Sequence, residues 1–360
     1  MTNDAASAGS PRSSGCVVDR TIDVTLRGRH RPTTTPSSTD GIPPRIERLH
    51  RLHGTSLLHD ASILLSLSPS VYATSCVIFH RFYHNRSLRR RDVWSVALGS
   101  MLLATKVEEE CRTVRSIVAA FVHVYRRRRL RYGDDDALSS NSDIRMAEGA
   151  SNLTVDEKEN ALRSVKPMPS QGPIYAEWRD AMLSAETEIL TSLGFTLHWI
   201  PDSHPHRFIL YFARVLEIGG GGGGEKARGG NDDDNDGVAG TGGGDDTTAS
   251  CVMQASWNYC NDSCRTDLCV RYDPEVIACA SILLASCDND YDLPLIPRPW
   301  WEAFIGPDQS LDLSNACNAI LAIGDANDVD NRKSRYAYVP SLFIDGPSFN
   351  DPESYLWSVA

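Results

Sequence analysis

Long apolar runs and positive charge are both scarce in this 360-residue chain. No apolar run reaches the ~18 residues that a membrane span needs, and the first ten residues are small and polar, so we expect neither a membrane helix nor a signal peptide. Lys and Arg number 36 against 47 Asp and Glu, which gives a net charge of −11. This balance argues against general phosphate-backbone binding, and we expect no direct nucleic-acid contact.

Sequence signatures of metal and catalytic sites are also missing. The ten cysteines form no Cys-x2-Cys pair, so Cys260, Cys264 and Cys269 do not predict structural zinc. His80 and His84 have the spacing of helical metal ligands, but no Glu follows the first histidine as in zinc proteases, and we interpret both as ordinary core or surface residues. No nucleophile–base constellation can be identified. We therefore expect no metal, no cofactor and no catalytic residue, and reduced thiols in a non-secreted protein.

Four segments have compositions that disfavour a packed core. Residues 1–44 are rich in Ser, Thr, Pro and Gly and predict a disordered tail, and polar residues 130–172 predict a long loop. Residues 219–250 contain thirteen glycines and six aspartates, which predicts a flexible insertion because ordering so much glycine costs too much backbone entropy. Residues 326–360 predict a loosely attached C-terminal tail.

The remaining sequence has the apolar periodicity of α-helices. Nine segments show it: 46–65, 71–83, 91–106, 113–129, 174–193, 204–218, 251–264, 274–286 and 311–323. The segment 91–106 is apolar around most of its circumference, which is typical of a buried helix, and its small residues allow close neighbours. The sequence therefore predicts an all-α fold with a central helix ringed by others.

A gap-free internal match supports two similar helical units. Asp92 to Thr105 aligns with Asp273 to Ser286 at a constant offset of 181 residues. Two all-α units in tandem are the simplest explanation, and a chance likeness of two buried helices is the alternative.

Two stretches within residues 102–197 resemble the cyclin family. Leu102-Leu-Ala-Thr-Lys106-Val-Glu-Glu109 looks like the helix-3 signature of the first cyclin box. Ala185-Glu186, followed nine residues later by Phe195 in Leu-Gly-Phe-Thr-Leu, looks like its helix 5.

Three stretches of the second half are similar to the cyclin L branch in particular. They are His204-Pro-His206, the segment 256–267 that begins Ser-Trp-Asn-Tyr, and the segment 272–285. The resemblance covers roughly residues 45–130 and 174–323. Two family features are absent from this sequence: the Met-Arg-Ala-Ile-Leu docking motif of cell-cycle cyclins, and Arg-Ser repeats in residues 348–360.

The resemblance implies two tandem five-helix cyclin boxes, at residues 45–195 and 196–325. It implies that Lys106 and Glu186 bind a cyclin-dependent protein kinase, in a heterodimer whose regulatory subunit is not itself an enzyme. It also implies a nuclear role in RNA polymerase II transcription and pre-mRNA splicing, with transcription or splicing factors as further partners.

One arginine cluster bears on localisation. Arg126, Arg127, Arg128 and Arg129 form a candidate nuclear-import signal, with a solvated helix face as the alternative interpretation.

Two other functions stay open at the level of sequence. One is another transcriptional cyclin, of T, K or C type. The other is a non-kinase transcription scaffold with a cyclin fold, of the TFIIB type.

Overall fold

A computed structural model of the chain describes residues 34–132, 172–197, 200–218, 244–293 and 298–325. Within these ranges the chain is helical and contains no strand, which confirms the all-α prediction. The helices are α1 (Pro36–Thr39), α2 (Pro44–Leu64), α3 (Pro69–Asn85), α4 (Val93–Val107), α5 (Val114–Tyr132), α6 (Pro173–Ser192), α7 (His206–Val215), α8 (Gly244–Ser263), α9 (Leu268–Arg271), α10 (Pro274–Asp288) and α11 (Ser310–Asp325). None of these described helices is long and apolar enough to cross a membrane.

The prediction of a disordered tail is wrong for residues 34–44. Thr35 caps the short helix α1 by accepting a hydrogen bond from Ser38 N, and Pro36 occupies its first turn. The hydroxyl of the fully buried Ser37 accepts a hydrogen bond from Leu88 N at 3.1 Å, and Ile42 joins the first core. A Ser-Thr-Pro composition therefore encodes caps and turns here. Residues 1–33 lie outside the described part of the chain.

Helix α4 is the centre of the first core, as its sequence predicts. All residues from Val93 to Thr105 are buried, and α4 packs against α2, α3, α5 and α6. The Asp92 carboxylate caps the helix by accepting hydrogen bonds from the backbone N–H groups of Trp94 and Ser95 at 2.9 and 3.0 Å. Five helices, α2 to α6, build this unit.

Helix α10 has the same position in a second core. It packs against α7, α8, α9 and α11, and almost all of its residues from Val276 to Ser286 are buried. In its described residues the second unit thus also has five helices, α7 to α11. This arrangement supports the predicted tandem units, whose limits at 45–195 and 196–325 stay a prediction.

Buried polar contacts join the two units through α3. The ring of His80, fully buried, donates from Nε2 to the carbonyl of Cys264 at 3.1 Å, and the Nε2 of His84 lies 3.1 Å from the Asp267 carboxylate. Because a carbonyl only accepts, the Nε2 of His80 carries the proton, and Nδ1 faces Arg51 at 3.5 Å. Thr74 adds a third contact, to His204 at 2.7 Å.

The predicted insertion at residues 219–250 is too long at its C-terminal end. Helix α8 begins at Gly244, and Ala249 is buried in the second core. Glycine and aspartate remain frequent across the start of α8, so the sequence composition did not indicate where the insertion ends and the helix begins. Residues 219–243, 133–171 and 326–360 lie outside the described ranges.

Candidate functional site

Lys106 and Glu186 meet at the surface although 80 residues separate them in sequence. The Lys106 Nζ lies 2.5 Å from Glu186 Oε1, and the side chains are 53% and 14% exposed. Lys106 ends the buried helix α4, and Glu186 lies in the middle of α6. The structure thus brings together the two residues that the sequence singled out; their role in binding stays a prediction.

A glycine allows the close approach of the two helices. A Cβ atom at Gly99 would lie 3.0 Å from the backbone nitrogen of Glu186 and 3.1 Å from the Cβ of Ala185. Arg91, just before α4, also contacts α6, through an ion pair from its Nε to the Glu188 carboxylate at 2.5 Å. The position of Glu186 therefore depends on backbone packing against a buried helix, which makes the site stiff.

The Lys106–Glu186 pair has unused hydrogen-bonding capacity. A lysine ammonium has three donors, and only one is directed at Glu186. The second carboxylate oxygen of Glu186 has no hydrogen-bond partner among the described residues. The pair can therefore donate to backbone carbonyls and accept from backbone N–H groups of a partner while keeping its own ion pair.

Exposed apolar side chains lie on the same helix. Leu183 is one turn before Glu186, and Ile174 lies nearer the start of α6; they are 40% and 43% exposed. A charged pair beside exposed apolar groups has the mixed character of a protein–protein interface. The arrangement fits the binding of another protein.

The candidate import cluster does not form one exposed patch. Arg128 is buried, and its guanidinium forms an ion pair with Asp60 at 2.7 Å and a hydrogen bond to Ser56. Arg127 is exposed, Arg126 is half-buried, and the side chain of Arg129 lies outside the described residues. Because Arg128 fastens α5 to α2, the import prediction is restricted to Arg126, Arg127 and Arg129.

Sequence reasoning missed a second polar cluster close to the signature segment. The Thr74 hydroxyl lies 2.5 Å from Glu108 Oε1 and 2.7 Å from the His204 Nε2. Burial lowers the pKa of His204 to about 4, so the ring is neutral and Thr74 bridges two helices to the segment before α7. The sequence analysis quoted stretches that contain Glu108 and His204, but nothing in it pointed to Thr74, so the contact between the three became visible only in the structure.

The cysteines and histidines considered as ligands have structural environments. Burial raises the pKa of the Cys264 thiol to about 12 and lowers the pKa of His80 to about 3, with a smaller contribution to His80 from Arg51. Cys260 is buried as well. In the part of the chain that the structure describes, no group of three or more His, Cys, Asp or Glu side chains is arranged to hold a metal ion.

Comparison with known proteins identifies the first unit. Residues 28–141 match the family described as "Cyclin, N-terminal domain". This match begins before the predicted box limit at 45 and includes the ordered segment 34–44.

Relatives match most of the chain. The cyclin L homolog cyl-1 of Caenorhabditis elegans is 31% identical over 279 residues, which cover 77% of this chain and 48% of the relative. Human Cyclin-L1 is 29% identical over 289 residues, covering 80% of this chain and 42% of the relative. The chain thus spans about half the length of the relatives it matches.

A solved structure titled as the yeast RNA Pol II CTD kinase CTDK-1 complex contains a chain with a TM-score of 0.47 and 14% identity, covering 80% of this chain and 69% of that chain. At these values the structural likeness adds nothing to the assignment, which rests on the sequence matches. Because residues 28–141 match the cyclin N-terminal domain and most of the chain matches cyclin L relatives, the chain is a member of the cyclin family.

Proposed function

We propose that this chain is the regulatory subunit of a cyclin-dependent protein kinase, which it binds as a heterodimer and activates without doing chemistry itself. The observation that carries the proposal is the surface pair of Lys106 and Glu186, held at the crossing of α4 and α6. The membership in the cyclin family supports it.

Activation requires a stiff platform. A protein kinase is active when the lysine of its β3 strand pairs with the glutamate of its αC helix and its activation loop is ordered. A subunit that binds only this arrangement shifts the kinase population towards it. A shift from 1:99 to 99:1 needs about 5.5 kcal/mol of differential binding, which a protein interface of ordinary size can supply. The buried central helix keeps this platform from deforming.

In such an interface, the hydrogen bonds of the polar pair fix the orientation of the kinase relative to this chain. Lys106 donates to kinase carbonyls and Glu186 accepts from kinase N–H groups, while Leu183, one turn away on α6, contributes apolar area beside them. Truncation of either polar residue leaves kinase backbone groups buried without a partner, at about 1–3 kcal/mol each.

The proposed setting is the nucleus, in RNA polymerase II transcription and pre-mRNA splicing. The cyclin L relatives and the segments that resemble cyclin L support this setting. A transcriptional cyclin of T, K or C type and a TFIIB-type scaffold are the competing functions. A fluorescent fusion tests the setting directly: nuclear signal is expected, and signal confined to the cytoplasm contradicts it.

The kinase proposal is tested by the double variant Lys106→Ala/Glu186→Ala. We expect at least about a tenfold loss of kinase binding in a pull-down and a matching loss of kinase activity, because desolvated kinase groups lose their partners. The thermal transition followed by circular dichroism should stay nearly unchanged, since the pair is at the surface.

A second ion pair provides the matched control. Arg207 and Asp202 form an exposed pair at 2.9 Å, with side chains 54% and 82% exposed. The variant Arg207→Ala/Asp202→Ala should bind and activate like the unaltered protein. If the Lys106/Glu186 variant folds and also activates normally, the pair is ordinary surface charge and the proposed mechanism is wrong.

A further inference from the structure

An arginine-lined cavity opens between the start of α2 and the α8–α9 junction. Its volume is about 440 Å³, and its lining combines side chains from both helical units. Five arginines line it: Arg45, Arg48, Arg51, Arg265 and Arg271. Glu47 and Asp267 are the carboxylates among the described lining residues, and Asp262 outside the lining pairs with Arg265, so two of the five positive charges have no carboxylate partner among the described residues, in a chain whose net charge is −11.

The two carboxylates are already occupied. Glu47 accepts from Arg51 Nε and Nη2 at 3.0 and 2.7 Å and from the Thr35 hydroxyl at 2.5 Å. Asp267 accepts from Arg271 Nε at 2.8 Å and contacts the His84 ring. Neither carboxylate is therefore free to neutralise the other arginines.

The remaining guanidinium groups have donors to spare. Arg45 and Arg48 are exposed, lie three residues apart on one face of α2, and form no ion pair or hydrogen bond with the described residues. Arg265 and Arg271 each form a single short-range ion pair, with Asp262 at 3.3 Å and with Asp267. Four forked donors thus surround one concave space, where field lines from like charges concentrate.

We propose that this cavity binds a phosphorylated side chain of a partner peptide. Arginine is the residue best suited to phosphate, because its planar fork donates two parallel hydrogen bonds to one group. The two positive charges of Arg45 and Arg48 match a phosphate dianion, and clusters of arginines are a recurring means of recognising phosphopeptides. The cavity has the size of a pocket for one such group with its flanking backbone.

The lining distinguishes this ligand from a nucleic acid. Among the described residues, no aromatic side chain on which a base could stack lines the cavity. The acidic chain also disfavours the extended contact with many phosphates that RNA or DNA binding uses. One localised phosphate on a peptide is the ligand that the charges and the shape favour. This inference does not depend on kinase binding.

The test measures binding of a fluorescein-labelled peptide, with one phosphoserine among glycines and alanines, to the full chain by fluorescence anisotropy. We expect saturable binding that the unphosphorylated peptide does not show, and a loss of about tenfold or more in Arg45→Gln/Arg48→Gln. Both arginines are exposed, so circular dichroism should show an unchanged fold. Arg90→Gln/Arg115→Gln, which removes two exposed arginines elsewhere, should bind within about twofold of the unaltered protein.

Four results would overturn the proposal. They are equal binding of the unphosphorylated peptide, the same loss in the control variant, competition by inorganic phosphate as effective as by unlabelled phosphopeptide, and displacement by a uridine oligonucleotide at equal phosphate concentration. The third would indicate a site for free phosphate and the fourth a nucleic-acid site. None of these measurements involves the kinase, so they leave the kinase proposal unaffected.

Discussion

The central helices of the two units, α4 and α10, share their length and register but not their chemistry. Each has 15 residues, and each residue of α10 lies 181 positions after its counterpart in α4. Each is buried against four other helices of its unit. The aligned positions differ at the surface end, where Lys106 of α4 corresponds to Cys287 of α10.

This difference shows that the scaffold is repeated and the proposed site is not. Cys287 is an exposed free thiol, whereas Lys106 is paired with Glu186 from a neighbouring helix. Gly99, which allows α6 to approach α4, corresponds to Ala280 in α10. In the first unit, the close approach of α4 and α6 and the charged Lys106–Glu186 pair therefore occur at the same place. The packing of the two helices can hold this pair rigidly for contact with a partner.

The largest predicted contrast between the units is in their response to acid. Burial lowers the pKa of His50 and His204 to about 4 and that of His80 to about 3, all in the first unit or at the junction. In the second unit the only histidine of the described helices is His206, the first residue of α7, whose pKa is also lowered by burial, and residues 207–325 contain no histidine. These rings stay neutral in the folded state but bind protons near pH 6.5 when unfolded, so stability falls as pH drops from 7 to 5, by up to about 2 kcal/mol for each ring.

Urea unfolding at pH 7 and pH 5 measures this effect. The free energy of unfolding should decrease less between pH 7 and pH 5 in His80→Gln than in the unaltered protein. The difference should be up to about 2 kcal/mol, because one buried titrating ring is removed. His59→Gln is the control for the loss of an exposed histidine, since the His59 side chain is 55% exposed. An equal pH dependence in all three proteins would contradict the assignment of the buried rings.

A smaller contrast concerns the helix crossings. Gly99→Val places methyl groups against the backbone of Glu186 and should cost about 1–3 kcal/mol through overpacking. Ala280→Gly, at the aligned position, should cost about 1 kcal/mol from helix propensity alone. Thermal unfolding compares the two. Kinase binding should fall for Gly99→Val, because α6 carries Glu186, and should not fall for Ala280→Gly.

The helix caps differ more subtly. Asp92 accepts two backbone hydrogen bonds, whereas among the described residues aligned Asp273 makes no capping bond and accepts only from the Gln309 amide at 3.2 Å. Asp92→Ala should therefore lower the free energy of unfolding by about 1–2 kcal/mol, and Asp273→Ala by less than about 1 kcal/mol. Equal losses in denaturant unfolding would show that the cap bonds do not distinguish the helices.

The smallest expected effect belongs to the glycine-rich insertion. Replacing residues 219–243 by a short Gly-Ser loop should change stability by less than about 1 kcal/mol, because closure entropy varies slowly with loop length. The same replacement extended to residue 250 should cost more, since it removes the first turns of α8 and buried Ala249. Thermal unfolding of the two deletions gives the comparison, and equal transitions would contradict the boundary at Gly244.

Local signals in the sequence predicted most helices and missed two boundaries. Apolar periodicity located nine segments, and Gly194, with φ 63°, follows α6 in the left-handed conformation that favours glycine after a helix. The order of residues 34–44 and the start of α8 were missed because both were interpreted from the amino-acid composition of a whole segment. Composition does not show that one residue caps a helix or that one side chain is buried. Ser37 and Ile42 are ordered by contacts with the first core, which no local pattern records.

The sequence by itself determined the helices, the two-unit repeat and the resemblance that singled out Lys106 and Glu186, because periodicity and motifs are local properties of a chain. Only the tertiary structure decided that these two side chains meet, that Arg128 is buried, and that five arginines surround one cavity. Such contacts join residues tens to hundreds of positions apart. They form because helices bury their apolar faces together, and the polar groups at the crossings are then fixed by that packing.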